Sequence, residues 1–509
     1  MNQLTANTPV IIGVGFYQEH HDNPLDCLEP FQLMVRAIRD AADNASSSTK
    51  SSAELLAAIE SISVNQGMWD YPNPGKLVAD ELGCPNAVSG LADLGVLQFT
   101  PLFNLCREIA AGERKLGVVT GGEAKFRELR SKITGQTVNN TQQPEDSPQV
   151  DVHLTSSDPF ASELEAQAGI FLPVQLFAII ESALRHHQGL GIEEHRDLVA
   201  QLYSGFCDIA ARNPHAWKQE SVSAEEIRDA IGNNAMLAFP YTKRHNTQWN
   251  VNQSVAILVS SCGMAESLGV NRNHWVYPVS QVQSRHVVTL AQQNKLYSHP
   301  GTIMSGERAL MLAGASIDDI TAADLYSCFP ASVRSFAHDL NLQNQCPLSV
   351  TGSMAFAGGP YNHGALDGAA RMVEVVRQSA STTTGRQLGL VSNLSGIFGK
   401  QAIALFSNQP NPGGYVFEDI TDTVAAIDKP LPLSGDYTGP VTVVGYTVVF
   451  NKQDLVQAFA ICDTPDGGRT VLTSQDKAVL MAMTRQEFVG REVQALPGRI
   501  LAWEEPPSP

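Results

Sequence analysis

The sequence has no CxxC pair. Its eight cysteines (positions 27, 84, 106, 207, 262, 328, 346 and 462) stand singly. That spacing excludes zinc ribbons and thioredoxin-type redox chemistry, and it predicts reduced thiols in a cytoplasmic protein. The histidine pairs in "HHDN" (20–23) and "RHHQG" (185–189) have no third ligand at helical spacing, so they read as solvated surface and no metal site is expected. An uninterrupted apolar run of about 18 residues is missing, which excludes a membrane-spanning helix. The opening "MNQLTANTPVIIGVG" lacks a basic region followed by a long apolar stretch, so it reads as a first strand rather than a secretory signal. Positive charge is also scarce: 34 Lys and Arg face 52 Asp and Glu, a net charge of −18. Such a field repels a phosphate polymer and argues against a nucleic-acid partner. A small anion is still compatible, because helix N-termini and local basic groups act at short range.

With 509 residues, 43% of them hydrophobic, the chain has material for about three globular domains. Apolar strand-like runs alternate with helix-period segments, the pattern of helices packed on sheets. "RKLGVVTGGE" (114–123) follows "TPLFNLCREIAAG", and "RQLGLVSNLSG" (386–396) follows "GALDGAARMVEVVRQ". The first of these strands resembles the second. "VNQSVAILVSS" (251–261) likewise resembles "GKQAIALFSN" (399–408). Two matches in the same order predict a duplicated α/β unit. One copy spans 1–270 with a helical insertion at about 125–245, and the other spans 271–410. "SNQPNPGGY" then reads as a linker. The runs "VTVVGYTVVF" and "LVQAFAICDTPDGGRTVLTS" predict a β-rich domain, an OB-like barrel, over 415–509.

The ordered set "CREIAAGERKLGVVTGGEA", "DLYSCFPAS", "MAFAGGPYNHG" and "FGKQAIALFS" resembles the thiolase superfamily. "YSCF" is similar to the HDCF element of its sterol-carrier-type members. The added β-rich domain makes the chain most similar to the type-1 thiolase-like proteins, which are labelled acetyl-CoA acetyltransferases. The resemblance implies a five-layered αβαβα core. It also implies coenzyme A or an acyl-CoA as substrate or ligand, a role in lipid metabolism, no separate cofactor, and a monomer or homodimer. The family's chemistry uses a cysteine at the N-terminus of a buried helix, where the dipole and free N–H groups lower the thiol pKa. A GHP histidine and a CxG cysteine then move protons.

Carried over residue by residue, that set is missing. The nucleophile's position falls on or beside Val96, followed by Leu97. Cys106 lies about 15 Å further along the same helix and reads as a core thiol. GHP aligns with Gly358, Gly359 and Pro360, and CxG with Ser395, Gly396 and Ile397. His363 and Cys328 are left as candidate catalytic groups, with Tyr326, Ser327 and Asn393 beside them. The expected ligand site lies between the helix that begins near Gly95 and the loop Gly358–His363, with Val96, Tyr326, Gly358, Gly359 and Asn393 contacting the ligand. Two helix N-termini would aim free N–H groups into that cleft, and glycines 358 and 359 would leave room for the acyl group. The basic spots "TKRH" (242–245) and "VQSRH" (282–286) could meet its phosphates. Two readings stay open: an acyl-CoA acyltransferase with non-standard residues, and a non-catalytic acyl-CoA-binding or partner-dependent subunit.

Overall fold

The computed structural model describes residues 4–45, 51–342 and 346–503. Its first half contributes β1 (Pro9–Gln18), β2 (Ser61–Asn65), β3 (Val88–Ala92), β4 (Leu116–Ala124) and β5 (Val152–Leu154), then β6 (Met236–Ala238), β7 (Tyr241–Thr242) and β8 (Asn252–Ser261). The second half contributes β9 (Tyr277–Ser284), β10 (Ala322–Asp324), β11 (Leu388–Ser395), β12 (Lys400–Ser407) and β13 (Val416–Asp419). The first sheet runs β1-β8-β4-β2-β3-β5 and the second runs β10-β11-β12-β9-β13. Strands β1, β8, β4 and β2 therefore correspond to β9, β12, β11 and β10. Each set has the same two antiparallel pairs followed by a parallel one. The duplication expected from the two matched strand pairs is present, with the matched strands adjacent in each half. The halves are stitched by a bridge at Ile11 and Val276, whose N–H groups donate to one another's carbonyls at 2.8 and 3.2 Å.

Every residue of β4, β8 and β12 is buried, which is why these strands read as continuous apolar or small runs rather than alternating ones. Two helices, Thr100–Ala111 and Gly364–Thr382, fill the space between the sheets. Phe103 and Ile109 from one, and Leu366, Ala370 and Val373 from the other, share a core with Ile257 of β8 and Ala404 of β12. The helix Pro30–Ala45 covers the far face of the first sheet. The helices Pro300–Leu312 and Pro330–Asp339 cover that of the second. These are the five expected layers.

The outer helix lies so close to β1 that a Cβ at Gly13 or Gly15 would stand 2.2 Å from the Ala41 carbonyl oxygen or 2.0 Å from that of Ala37. Backbone cannot yield as a side chain does. Gly15→Val is therefore expected to lower unfolding free energy by about 1–3 kcal/mol, the range for overpacked cores, as read from the urea midpoint.

After Asp419 and the helix Thr421–Ile427 come β14 (Gly439–Asn451), β15 (Asp454–Asp463), β16 (Arg469–Ser474), β17 (Glu492–Leu496) and β18 (Ile500–Ala502). They close as β14-β15-β16-β18-β17 and back to β14, a five-stranded barrel. Its boundary corrects the expectation at 415: β13 pairs in parallel with β9 and belongs to the second core sheet. Tyr415 and Phe417 pack into the space between the sheets, so burial holds this segment to the core and the barrel begins at Gly439. The insertion is divided in the same way. β5 extends the first sheet beside β3, while β6 and β7 attach to the barrel through β14. No helix among the described residues is long and apolar enough to cross a membrane.

Candidate functional site

The two buried helices meet N-terminus to N-terminus, and each is capped by an amide side chain from the other half. The Phe99 N–H donates to Asn393 Oδ1 at 3.2 Å, and the Ala365 N–H donates to Gln98 Oε1 at 2.7 Å. Gln98 Nε2 donates in turn to the Tyr326 hydroxyl at 3.0 Å, and Asn65 Nδ2 donates to the Gln98 carbonyl at 3.0 Å. These amides engage one N–H at each helix entrance, which leaves fewer donors there for a ligand than the expected cleft of free N–H groups. They satisfy groups that a helix end leaves orphaned. The structure thus brings Val96, Tyr326 and Asn393 around one residue that sequence reasoning missed. Its signal was a lone amide, Gln98, inside the apolar run "LGVLQFTPLF".

Val96 and Leu97 are buried and carry no reactive group. The Gly95 carbonyl beside them accepts from Ser395 Oγ at 2.9 Å and from Lys400 Nζ at 2.8 Å. Lys400 also pairs with Asp158 at 2.6 Å, so a loop of the insertion is pinned across this entrance. Cys106 is fully buried, and burial pushes its thiol up, in keeping with a core role.

His363 immediately precedes the helix Gly364–Thr382 and is 1% exposed. The helix entrance therefore keeps a histidine. It is carried by His363, while Gly359 belongs to the preceding loop. The imidazole lies on β4, where a Cβ at Gly121 would be 2.6 Å from His363 Cβ. Glu123 lies two residues along the same strand and so on the same face. Burial raises its carboxyl pKa, against the N–H groups of Met68 and Ala124 at 2.8 and 2.9 Å. Asn65 pairs in register with Gly121. Neither ring nitrogen of His363 has a hydrogen-bond partner, and neither do Asn362 Nδ2 and Asn65 Oδ1. Buried polar atoms are nearly always satisfied, so these four mark a place with spare hydrogen-bonding capacity at the C-terminal ends of β2 and β4.

Cys328 fits the role of nucleophile poorly. Burial pushes its thiol up to about 12, against a contact with Ser332, so the reactive thiolate is not formed near neutral pH. Cys328 and His363, the two candidate catalytic groups, share no hydrogen bond with each other. Ser327 Oγ accepts from the Met354 N–H at 3.1 Å. The two glycines are filled rather than open: a Cβ at Gly358 would meet Gln253 Oε1 at 2.0 Å, and one at Gly359 would meet Thr247 Cγ2 at 2.0 Å. Their lack of a side chain serves close packing of the loop and does not make room for an acyl group.

Beyond Thr247 opens a groove of about 560 Å³ between the insertion and the loop that carries Phe356. Thr247 forms its floor and donates to the Cys328 carbonyl at 2.7 Å. Lys218, Lys243, Arg244 and the half-exposed Trp249 line it, together with the carboxylates Glu220, Glu225, Glu226 and Asp229. Burial lowers the Lys218 pKa. None of the three basic side chains pairs with a described carboxylate, although the chain is strongly acidic. Of the two basic spots in the sequence, only 242–245 is available, because Arg285 is held by Asp419 at 3.0 Å.

No protein-family model and no curated protein matches the chain. Solved structures do. A monomeric SCP2-thiolase-like protein type 1 from Mycobacterium smegmatis superposes with a TM-score of 0.80 at 23% identity, over 99% of this chain and 100% of that one. The Ltp2-ChsH2(DUF35) aldolase matches with a TM-score of 0.56 at 17% identity, over 78% of this chain and 97% of that one. Human mitochondrial 3-ketoacyl-CoA thiolase in complex with CoA matches with a TM-score of 0.52 at 12% identity, over 80% and 100%. The chain has the thiolase fold with an added C-terminal barrel.

Proposed function

We propose that this protein binds an acyl-CoA in the 560 Å³ groove and moves a proton on its acyl group with His363, without forming an acyl-enzyme. The observation that carries the reading is the pairing of a helix entrance without a thiol (Val96 to Gln98) with a buried His363 neither of whose ring nitrogens makes a hydrogen bond. A buried imidazole beside a carboxyl kept up by burial is equipment for proton transfer next to a thioester carbonyl. Acyl transfer through cysteine needs a thiolate, and the candidate thiol at Cys328 is held neutral by burial. Lys218, Lys243 and Arg244 supply charge for phosphates, and Trp249 offers a face for an adenine. The CoA-bound thiolase among the similar structures supports the choice of ligand, and the aldolase supports carbon chemistry other than thiolysis.

Calorimetric titration with acetyl-CoA is expected to show binding. Lys243→Ala with Arg244→Ala should weaken it by roughly 100-fold or somewhat more, the worth of two charge-assisted contacts at roughly 1.5 kcal/mol each. In D₂O, the parent should exchange the α-protons of acetyl-CoA, and His363→Gln should not. Thiolysis of acetoacetyl-CoA should be absent. A thiolysis rate that disappears in Cys328→Ala would overturn the reading and make Cys328 the nucleophile. A non-catalytic or partner-dependent subunit is the second reading. The capped helix entrances and the filled glycine positions favour it, and binding without exchange would identify it.

A further inference from the structure

The first turns of the helix Gly364–Thr382 carry a carboxylate that no step above uses. Asp367 Oδ2 stands 3.3 Å from His363 Nδ1, one helical turn along. No other described cation lies within ion-pairing distance of Asp367. The nearest basic group on the same helix face, Arg371, is taken by Glu374 at 2.5 Å, and Glu374 is shared with His215 at 3.2 Å. A cavity of about 30 Å³ adjoins this face, lined by Gly364, Asp367, Arg371, His215 and Gln253 among others. Arg371 Nε and Gln253 Oε1 are buried there without partners. The Asp367 side chain is about a quarter exposed.

We infer that Asp367 is the positioning residue of this site: it holds the neutral imidazole of His363 with its proton on Nδ1 and leaves Nε2 bare as the base. The inference rests on the reading of His363 as that base. The approach at 3.3 Å falls outside hydrogen-bond geometry, as such contacts often do before a ligand tightens them. The partner on one ring nitrogen decides which nitrogen is free. Nδ1–H then donates to the carboxylate. When Nε2 takes a proton from carbon, the imidazolium sits beside Asp367, and the same proton leaves again from Nε2 to the product. The other ionisable groups around this turn are Glu123 on β4, Asp324 on β10, and Arg371 and His215 across the cavity. Of the carboxyls, Asp367 is the one placed on Nδ1. Asp324 is turned to another loop: its Oδ1 accepts from Ser349, Val350 and Thr351 at 2.8 to 3.1 Å.

The test is ¹⁵N NMR of the full-length, histidine-labelled protein, with His363→Gln to assign the signals. The parent should show His363 as the Nδ1–H tautomer. Asp367→Asn, which offers an N–H to Nδ1 in place of an acceptor, should move it to Nε2–H and lower its proton affinity about 10-fold. Asp367→Glu should restore the parent tautomer, and Glu374→Gln should leave it in place. An Nε2–H tautomer in the parent overturns the inference, as does one unchanged by Asp367→Asn. This readout needs no turnover. The predicted tautomer in a protein that exchanges no α-proton would keep the inference and remove the proposed chemistry.

Discussion

Arg334→Ala is expected to cost the fold about 3–5 kcal/mol, the penalty for stranding a buried charge. The charge is Glu181, fully buried on the insertion helix Pro173–His187. Burial alone would raise its pKa, but Arg334, with His195 and Tyr241, holds its carboxyl down at about 2. Arg334 Nη1 reaches Glu181 Oε1 directly, and its Nη2 donates to Gln188. His195 Nε2 is 2.9 Å from Glu181 and 2.7 Å from Arg334. The Tyr241 hydroxyl donates to Glu181 Oε2 at 2.5 Å and accepts the Ala331 N–H at 3.0 Å. One ionised cluster therefore joins the insertion, the hairpin β6–β7 and the helix that follows Cys328. Without the guanidinium, Glu181 must protonate or stay uncompensated. Urea unfolding should show the loss, and Glu181→Leu combined with Arg334→Met should recover most of it, because an apolar pair of similar volume spares both desolvation costs. A single variant within about 0.5 kcal/mol of the parent, the spread for neutral surface changes, would refute this account.

Acid should loosen the same region from the other side. His245 is buried, and burial lowers its pKa to about 3. Its Nδ1 accepts the Thr242 N–H at 3.1 Å, a bond that protonation would remove. The unfolded imidazole takes its proton near 6.5, so the stabilisation is present above that pH. It is lost as pH falls from about 6.5 toward 3, at roughly 1.4 kcal/mol per pH unit. His245→Asn keeps an acceptor but does not titrate. The stability difference between parent and variant should therefore move against the parent by a few kcal/mol across that window, and a flat difference would exclude the effect. His299 makes a similar cap on the Gly301 N–H at 2.9 Å, and burial lowers its pKa to about 3 as well, so it adds the same acid loss to parent and variant. Raised carboxyls such as Glu123 and Asp324 oppose the trend, and the parent–variant difference cancels them.

Much of the architecture was legible in local pattern. Strands buried on both faces appear as unbroken apolar runs, and two such runs recurring in order disclosed the duplication. The DTPDGG turn between two strand runs disclosed the barrel. The absence of cysteine from the first buried helix entrance is a fact of composition at Val96 and Leu97, and folding cannot alter it. Other features had no local signature. The barrel boundary depends on whether Tyr415 and Phe417 find a core to enter, and that core combines the nearby β12 with β1, β4 and β8, well over a hundred residues earlier. The cross-caps join Phe99 to Asn393, 294 residues apart, and Ala365 to Gln98, 267 apart. Glu123 reads as one more acid after "VVTGG" until β4 sets it on the face where His363 packs against Gly121. Apolar periodicity acts over a few residues and is written in sequence order. Which amide satisfies a distant N–H, which glycine receives an incoming side chain, and which nitrogen of His363 stays bare depend on distances that exist only once the two halves have closed on each other.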